Sequence, residues 1–173
     1  MSVHIHLQKW IVYTSFLLVM IGFSGCRGAQ ETEIPFQTIA KDVGGLDYTS
    51  EEPALLIVTR REEFEALDLE IHDPDLLEQV EQIDYEKYFV ILVFQGFKYS
   101  GGYQVTVQKI SLTGEQMIIQ TDFAAPWGTR ATQMVTSPYH LIAVPKARVQ
   151  GRQVQFLLVV NDEALIEVSR EMP

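Results

Sequence analysis

The sequence predicts a mainly β domain, an antiparallel β-sandwich or partly open barrel, with two short helices inserted near its start. Three observations predict it. Tyr88-Phe89-Val90-Ile91-Leu92-Val93-Phe94 is a continuous apolar run of β-branched and aromatic residues, the composition of a central strand buried on both faces. Tyr103, Val105 and Val107 alternate with polar residues, as do Met117, Ile119, Thr121 and Phe123, and the turn Thr113-Gly114 lies between the two segments, which reads as a hairpin. Helical signals are confined to residues 59–83, so no strand–helix alternation points to a parallel sheet.

Taken in order, Ile34 to Ala40 reads as a first strand. Asp42 to Pro53, with Gly44-Gly45, several acids and a proline, reads as a loop. Ala54 to Val58 is an apolar run suited to a buried strand. Thr59-Arg60-Arg61-Glu62 has the form of a capping box, after which Phe64 and Leu67 share a helix face. Asp73-Pro74 opens a second helix as a capping acid followed by proline, and Leu76, Val80 and Ile83 keep helical spacing. Beyond the hairpin, Ala131 to Thr136 reads as a weak strand. Tyr139 to Val144 is a stronger one, stopped by Pro145. Gln150-Gly151-Arg152 is a turn, Val154 to Val160 is a strand, and Ala164 to Val168 adds a short last one.

Residues 1–25 have the layout of an export signal: Lys9 in a short polar start, an apolar stretch Trp10 to Phe23, then the small residues Ser24-Gly25. Fourteen residues, 10 to 23, fall short of the ~20 that a membrane span needs. Cys26, the single cysteine, follows directly. The segment resembles the lipid-attachment site of bacterial lipoproteins, with Phe23 where Leu is usual. The resemblance implies a signal peptide at 1–25, lipidation of Cys26 and a polar tether over 26–33. An uncleaved anchor and an ordinary cleaved signal are the competing readings. The remaining 34–173 is expected to be one domain, held by its core alone, since one cysteine allows no internal disulfide.

The net charge of −10 becomes −11 without residues 1–25, because one lysine and no acid leave, giving 12 basic against 23 acidic residues. An acidic domain without a basic stripe repels the phosphate backbone, so nucleic acid is not an expected partner. The same charge would hold the domain off an anionic leaflet, which leaves the membrane to be reached through the lipid on Cys26.

Catalytic and metal signatures are sparse. Gly-x-Ser-x-Gly and phosphate-loop motifs do not occur. Ser137 and His140 stand close in sequence, but a catalytic pair is defined in space. His72-Asp73-Pro74-Asp75 is a weak metal candidate that reads better as a helix cap. Two histidines beyond residue 25 and no second cysteine argue against zinc. No cofactor, metal or reaction is expected.

Phe97-Lys98-Tyr99-Ser100-Gly101-Gly102-Tyr103 is the most distinctive run between strands. Aromatics around paired glycines read either as a binding surface or as a plain hairpin loop whose rings cover the core edge. In Ser137-Pro138-Tyr139-His140, proline holds Ser137 extended, and His140 alternates onto the face of Ile142 and Val144. That places it among apolar neighbours, as a buried imidazole bonded to backbone or, alternatively, as a ligand-binding group.

Glu62-Glu63-Phe64, Asp84-Tyr85, Gly101-Gly102-Tyr103 and Thr136-Ser137-Pro138-Tyr139-His140 running to Pro145-Lys146 are four segments within roughly Ile34 to Val160. Together they resemble the PrcB-type protease-complex subunit family, in particular its C-terminal domain. The resemblance implies a small envelope lipoprotein that associates with a secreted subtilisin-like protease, and it supplies no catalytic residues. The expected function is a lipid-anchored extracytoplasmic protein-binding module, an accessory subunit of an exported protease. Its expected contact residues are Tyr99, Ser100, Gly101, Gly102, Tyr103, Pro138, Tyr139 and His140. The alternatives are a small-ligand-binding envelope lipoprotein, with a cavity near Trp127, Tyr139 and His140, and a protease inhibitor acting through the Gly-Gly-Tyr loop.

Overall fold

Pro35 decides the first step of the fold. In the computed structural model, which describes residues 30–67, 69–126 and 133–173, strand β1 (Thr32–Glu33) precedes it and strand β2 (Gln37–Asp42) follows it, in two different sheets. Proline cannot donate to a ladder, so the expected strand from Ile34 to Ala40 is cut in two there. β1 also lies within the stretch read as tether, so the compact unit that holds both sheets starts at Glu31. Cys26, Trp127 and the predicted export segment lie outside the described residues.

The first sheet has the order β1-β5-β6-β8-β9, with β5 at Gln104–Thr113, β6 at Gln116–Ala124, β8 at Gln153–Val160 and β9 at Glu163–Glu171. The second has the order β2-β7-β4-β3, with β3 at Ala54–Val58, β4 at Tyr88–Phe94 and β7 at Tyr139–Pro145. The domain is therefore mainly β and antiparallel-rich, two sheets not closed into a barrel. One pair, β6 with β8, is parallel. The chain leaves the first sheet after β6, passes through β7 in the second and returns, and a crossover of that length is what parallel neighbours require.

β4 is buried on both faces, as its composition predicts. Phe89, Ile91 and Val93 pack with Ile142 and Val144 against Val105, Met117, Ile119, Phe156 and Leu158 of the first sheet. Val90, Leu92 and Phe94 pack on the other side with Tyr139, Leu141, Phe64, Leu76 and Val80. The helices that supply the last three are α1 (Arg61–Glu65) and α2 (Pro74–Glu81).

α2 begins as its sequence predicts, with Asp73 Oδ1 accepting the Asp75 N–H at 3.0 Å. Asp73→Ala is expected to cost about 1 kcal/mol of stability, measured by urea unfolding at pH 7. α1 departs from the expected box. Arg60 occupies the cap position without a side-chain bond, and Glu63, not Glu62, accepts the Thr59 N–H at 2.8 Å and its hydroxyl at 3.1 Å. Arg170 of β9 holds the same carboxylate at 3.0 Å, a tertiary contact that local spacing does not contain.

Other departures have similar causes. A bulge between Val107 and Lys109 resets the inward positions from Val105 and Val107 to Ile110 and Leu112, so β5 continues past the alternating stretch. β9 is longer than Ala164 to Val168 because its exposed acids mask it. The described part of 131–136 is no strand but a single bridge, Thr136 with Lys98. The Gly-Gly-Tyr segment is not a hairpin loop: β4 and β5 belong to different sheets, so residues 95–103 cross between them.

Candidate functional site

Strands β3, β4 and β7 share one end where three segments, 43–50, 95–100 and 136–138, are stitched together by hydrogen bonds. Gln95 N donates to Pro138 O at 3.0 Å, and Phe97 N to Ser50 O at 2.8 Å. Lys98 and Thr136 exchange both bonds, at 2.8 and 2.9 Å, and Thr136 Oγ1 donates to Ser100 O at 3.2 Å. Ser137 N donates to Val43 O at 2.9 Å, and Ser137 Oγ to Tyr48 O at 3.0 Å.

This stitching presents apolar side chains to solvent. Tyr99 is 70 % exposed, Val135 61 % and Met134 51 %. Tyr99 and Val135 flank the isolated antiparallel bridge at Lys98–Thr136, each one residue away from it. Tyr99 is held from behind: its hydroxyl donates to Glu51 Oε1 at 2.9 Å, and its ring meets Phe97 edge-on at 5.1 Å between centroids. Lys98 Nζ sits 5.6 Å from the centre of the Tyr103 ring. Only one of the paired glycines has positive φ, Gly102 at +92°, where a Cβ would meet the Pro126 side chain at 2.7 Å.

The eight residues singled out in the sequence therefore separate. Tyr99 and Gly102 are exposed, Ser100 and Tyr103 half-buried, and Gly101 buried. Pro138, Tyr139 and His140 are buried and offer no surface to a partner. Tyr139 packs against Phe94, with ring centroids 6.0 Å apart. His140, 3 % exposed, accepts the Val107 N–H on Nδ1 at 2.8 Å, so its proton sits on Nε2, 2.9 Å from Thr38 Oγ1. It ties β7 and β2 of one sheet to β5 of the other. Burial, and secondarily the Lys41 ammonium, push this imidazole down to about 4. Tyr139 and His140, expected to line a ligand cavity, are packed by these contacts, and Trp127 lies outside the described residues. Ser137 and His140 each bond elsewhere rather than to one another.

Met134 and Val135 are the exposed apolar residues of this edge that sequence reading missed. Assigning 131–136 to a strand presumes that its apolar residues face a core. Elsewhere, the Leu46–Ile71 bridge brings Asp47, Glu70 and His72 together on the surface, where His72 Nε2 donates to Asp47 Oδ2 at 2.9 Å. All three are exposed, and that bond raises the His72 pKa, as an ordinary surface ion pair does.

Fold and site together define a two-sheet β domain with an aromatic edge stitched across three strand ends. Residues 89–145, from β4 to β7, match the model of the family described as PrcB C-terminal, which bears out the PrcB-type resemblance. The match contains Gly101-Gly102-Tyr103 and Thr136 to Pro145, and stops short of Glu62-Glu63-Phe64 and Asp84-Tyr85. No curated protein and no solved structure matches the chain.

Proposed function

We propose that this chain is a non-catalytic, lipid-anchored envelope protein that docks an exported protease of the subtilisin type as an accessory subunit. The observation that carries the docking part is the exposure of Tyr99 on one side of the Lys98–Thr136 bridge and of Met134 and Val135 on the other. Exposed aromatic and apolar residues on a rigid support are the usual anchors of protein interfaces. The PrcB C-terminal match supports a protease-complex partner. Ser137 and His140, the two residues closest to a nucleophilic pair in sequence, are both committed to backbone bonds, which supports a binding role over catalysis. The anchor at Cys26 rests on the export-signal layout and would keep the acidic domain at the membrane.

The test is crosslinking in the native cell followed by identification of the partner. Wild type is expected to recover a protease. Tyr99→Ala with Val135→Asp is expected to reduce that recovery more than tenfold. Cys26→Ser is expected to release the chain from the membrane fraction without changing its unfolding midpoint. Undiminished recovery by the double variant removes this edge as the docking site, and a partner that is no protease removes the subunit reading.

A further inference from the structure

The opposite end of the same three strands holds a second feature. A cavity of about 430 Å³ opens where β3 leads into α1, where α2 leads into β4, and where β7 ends. The seven residues of β4 put it roughly 20 Å from the Tyr99 edge. On it lie Lys146, Arg60, Gln150 and Tyr85.

Lys146 is the unusual member. Its side chain follows Pro145 inward and is only 6 % exposed. Its Nζ donates to the Thr59 carbonyl at 2.9 Å. Among the described residues no carboxylate lies within 4.0 Å of it, although the ion pairs of Lys87 and Lys109 show that lysines elsewhere in the domain find one. An ammonium offers three donors, and a buried charge with one neutral acceptor is a costly arrangement unless a further acceptor arrives. Burial depresses its pKa, with Glu86 and, less, Glu63 opposing that shift and Arg60 reinforcing it. Tyr85, on the same cavity, carries a buried hydroxyl that has no partner among the described residues.

Acids also line the cavity and must be weighed. Asp84 is taken by Lys87 Nζ at 2.6 Å. Glu62, Glu86 and the carboxylate at Pro173, which also lines the cavity, are exposed, where water screens them, whereas Lys146 is desolvated. The buried ammonium thus keeps two donors without a partner among the described residues, and an oxygen anion would meet both. The geometry points to this cavity as a binding site for a compact oxyanion, a small-molecule carboxylate or phosphate, with Lys146 Nζ beneath it and Arg60 at the wall.

The test uses the full chain in a mild nonionic detergent, with inorganic phosphate and succinate as probes and chloride holding ionic strength constant. Acetylation of Lys146 by an N-hydroxysuccinimide ester is followed by mass spectrometry, and binding by calorimetry. One oxyanion is expected to suppress acetylation where chloride does not, and Arg60→Gln is expected to weaken its binding about tenfold. Protection by phosphate alone assigns a phosphate ligand, and protection by succinate alone a carboxylate. The proposal is overturned if neither probe protects Lys146 beyond chloride, or if Arg60→Gln and Lys146→Met both bind as wild type does. Tyr99→Ala is expected to keep full oxyanion binding, so loss of the docking edge and loss of this site read out separately.

Discussion

His140→Ala is expected to lower the unfolding free energy by about 3 kcal/mol at pH 7. The substitution strips the buried Val107 N–H of its acceptor and leaves a void between the sheets. The wild type should carry a matching acid sensitivity. The folded imidazole sits at about 4 against 6.5 in the unfolded chain. As pH falls through that interval, the unfolded chain takes up a proton that the folded one refuses. The stabilisation is complete above 6.5 and is lost progressively down to about 4, to a total of about 3 kcal/mol. His140→Gln is the informative comparison, because its amide oxygen can still accept from Val107 but does not titrate. Chemical unfolding of wild type and the Gln variant from pH 7 to 4 isolates the histidine from the carboxylates common to both. A constant difference between the two across that range would refute the protonation account.

Gly96→Ala is expected to cost about 3 kcal/mol, through strain and collision together. Gly96 has φ +86°, and a Cβ there would stand 2.2 Å from the Glu51 carbonyl oxygen and 2.7 Å from its carbon. Those atoms are backbone and cannot swing aside, and the neighbouring Phe97–Ser50 bond holds them. Two other glycines separate the causes. Gly151 has φ +70° with nothing within 4 Å, so Gly151→Ala should show the conformational strain alone, about 1 kcal/mol. Gly44 has neither feature, and Gly44→Ala should fall within about 0.5 kcal/mol of wild type. Thermal unfolding of the three variants checks the order. Because Glu51 also holds the Tyr99 hydroxyl, Gly96→Ala should weaken partner recovery beyond its effect on stability.

Much of the fold was legible because β4 and its neighbours bury regular patterns. The run Tyr88 to Phe94 could only be satisfied by apolar material on both faces, and the packing supplies it from the other sheet and from the helices. The alternation around Thr113-Gly114 and the Asp73-Pro74 start are local signals, and local bonds realise them. The candidate site was half legible. Aromatics and glycines marked residues 97–103, but Met134 and Val135 carry no periodic signature that separates an exposed pair from a buried one.

The sequence by itself determined a mainly β domain, its main strands, both helices and the isolated cysteine after an export-like segment, because these follow from residue type and short-range spacing. Tertiary structure alone decided which sheet each strand joined. It turned the Gly-Gly-Tyr segment from a hairpin loop into a crossing, gave Glu63 to Arg170, and set the Val107 amide against His140. It also exposed Tyr99 and Val135 beside one bridge and, among the described residues, left Lys146 with no carboxylate within 4.0 Å. Each of these depends on which residues meet across dozens of positions, and that is settled by how two buried faces pack, which no local pattern encodes.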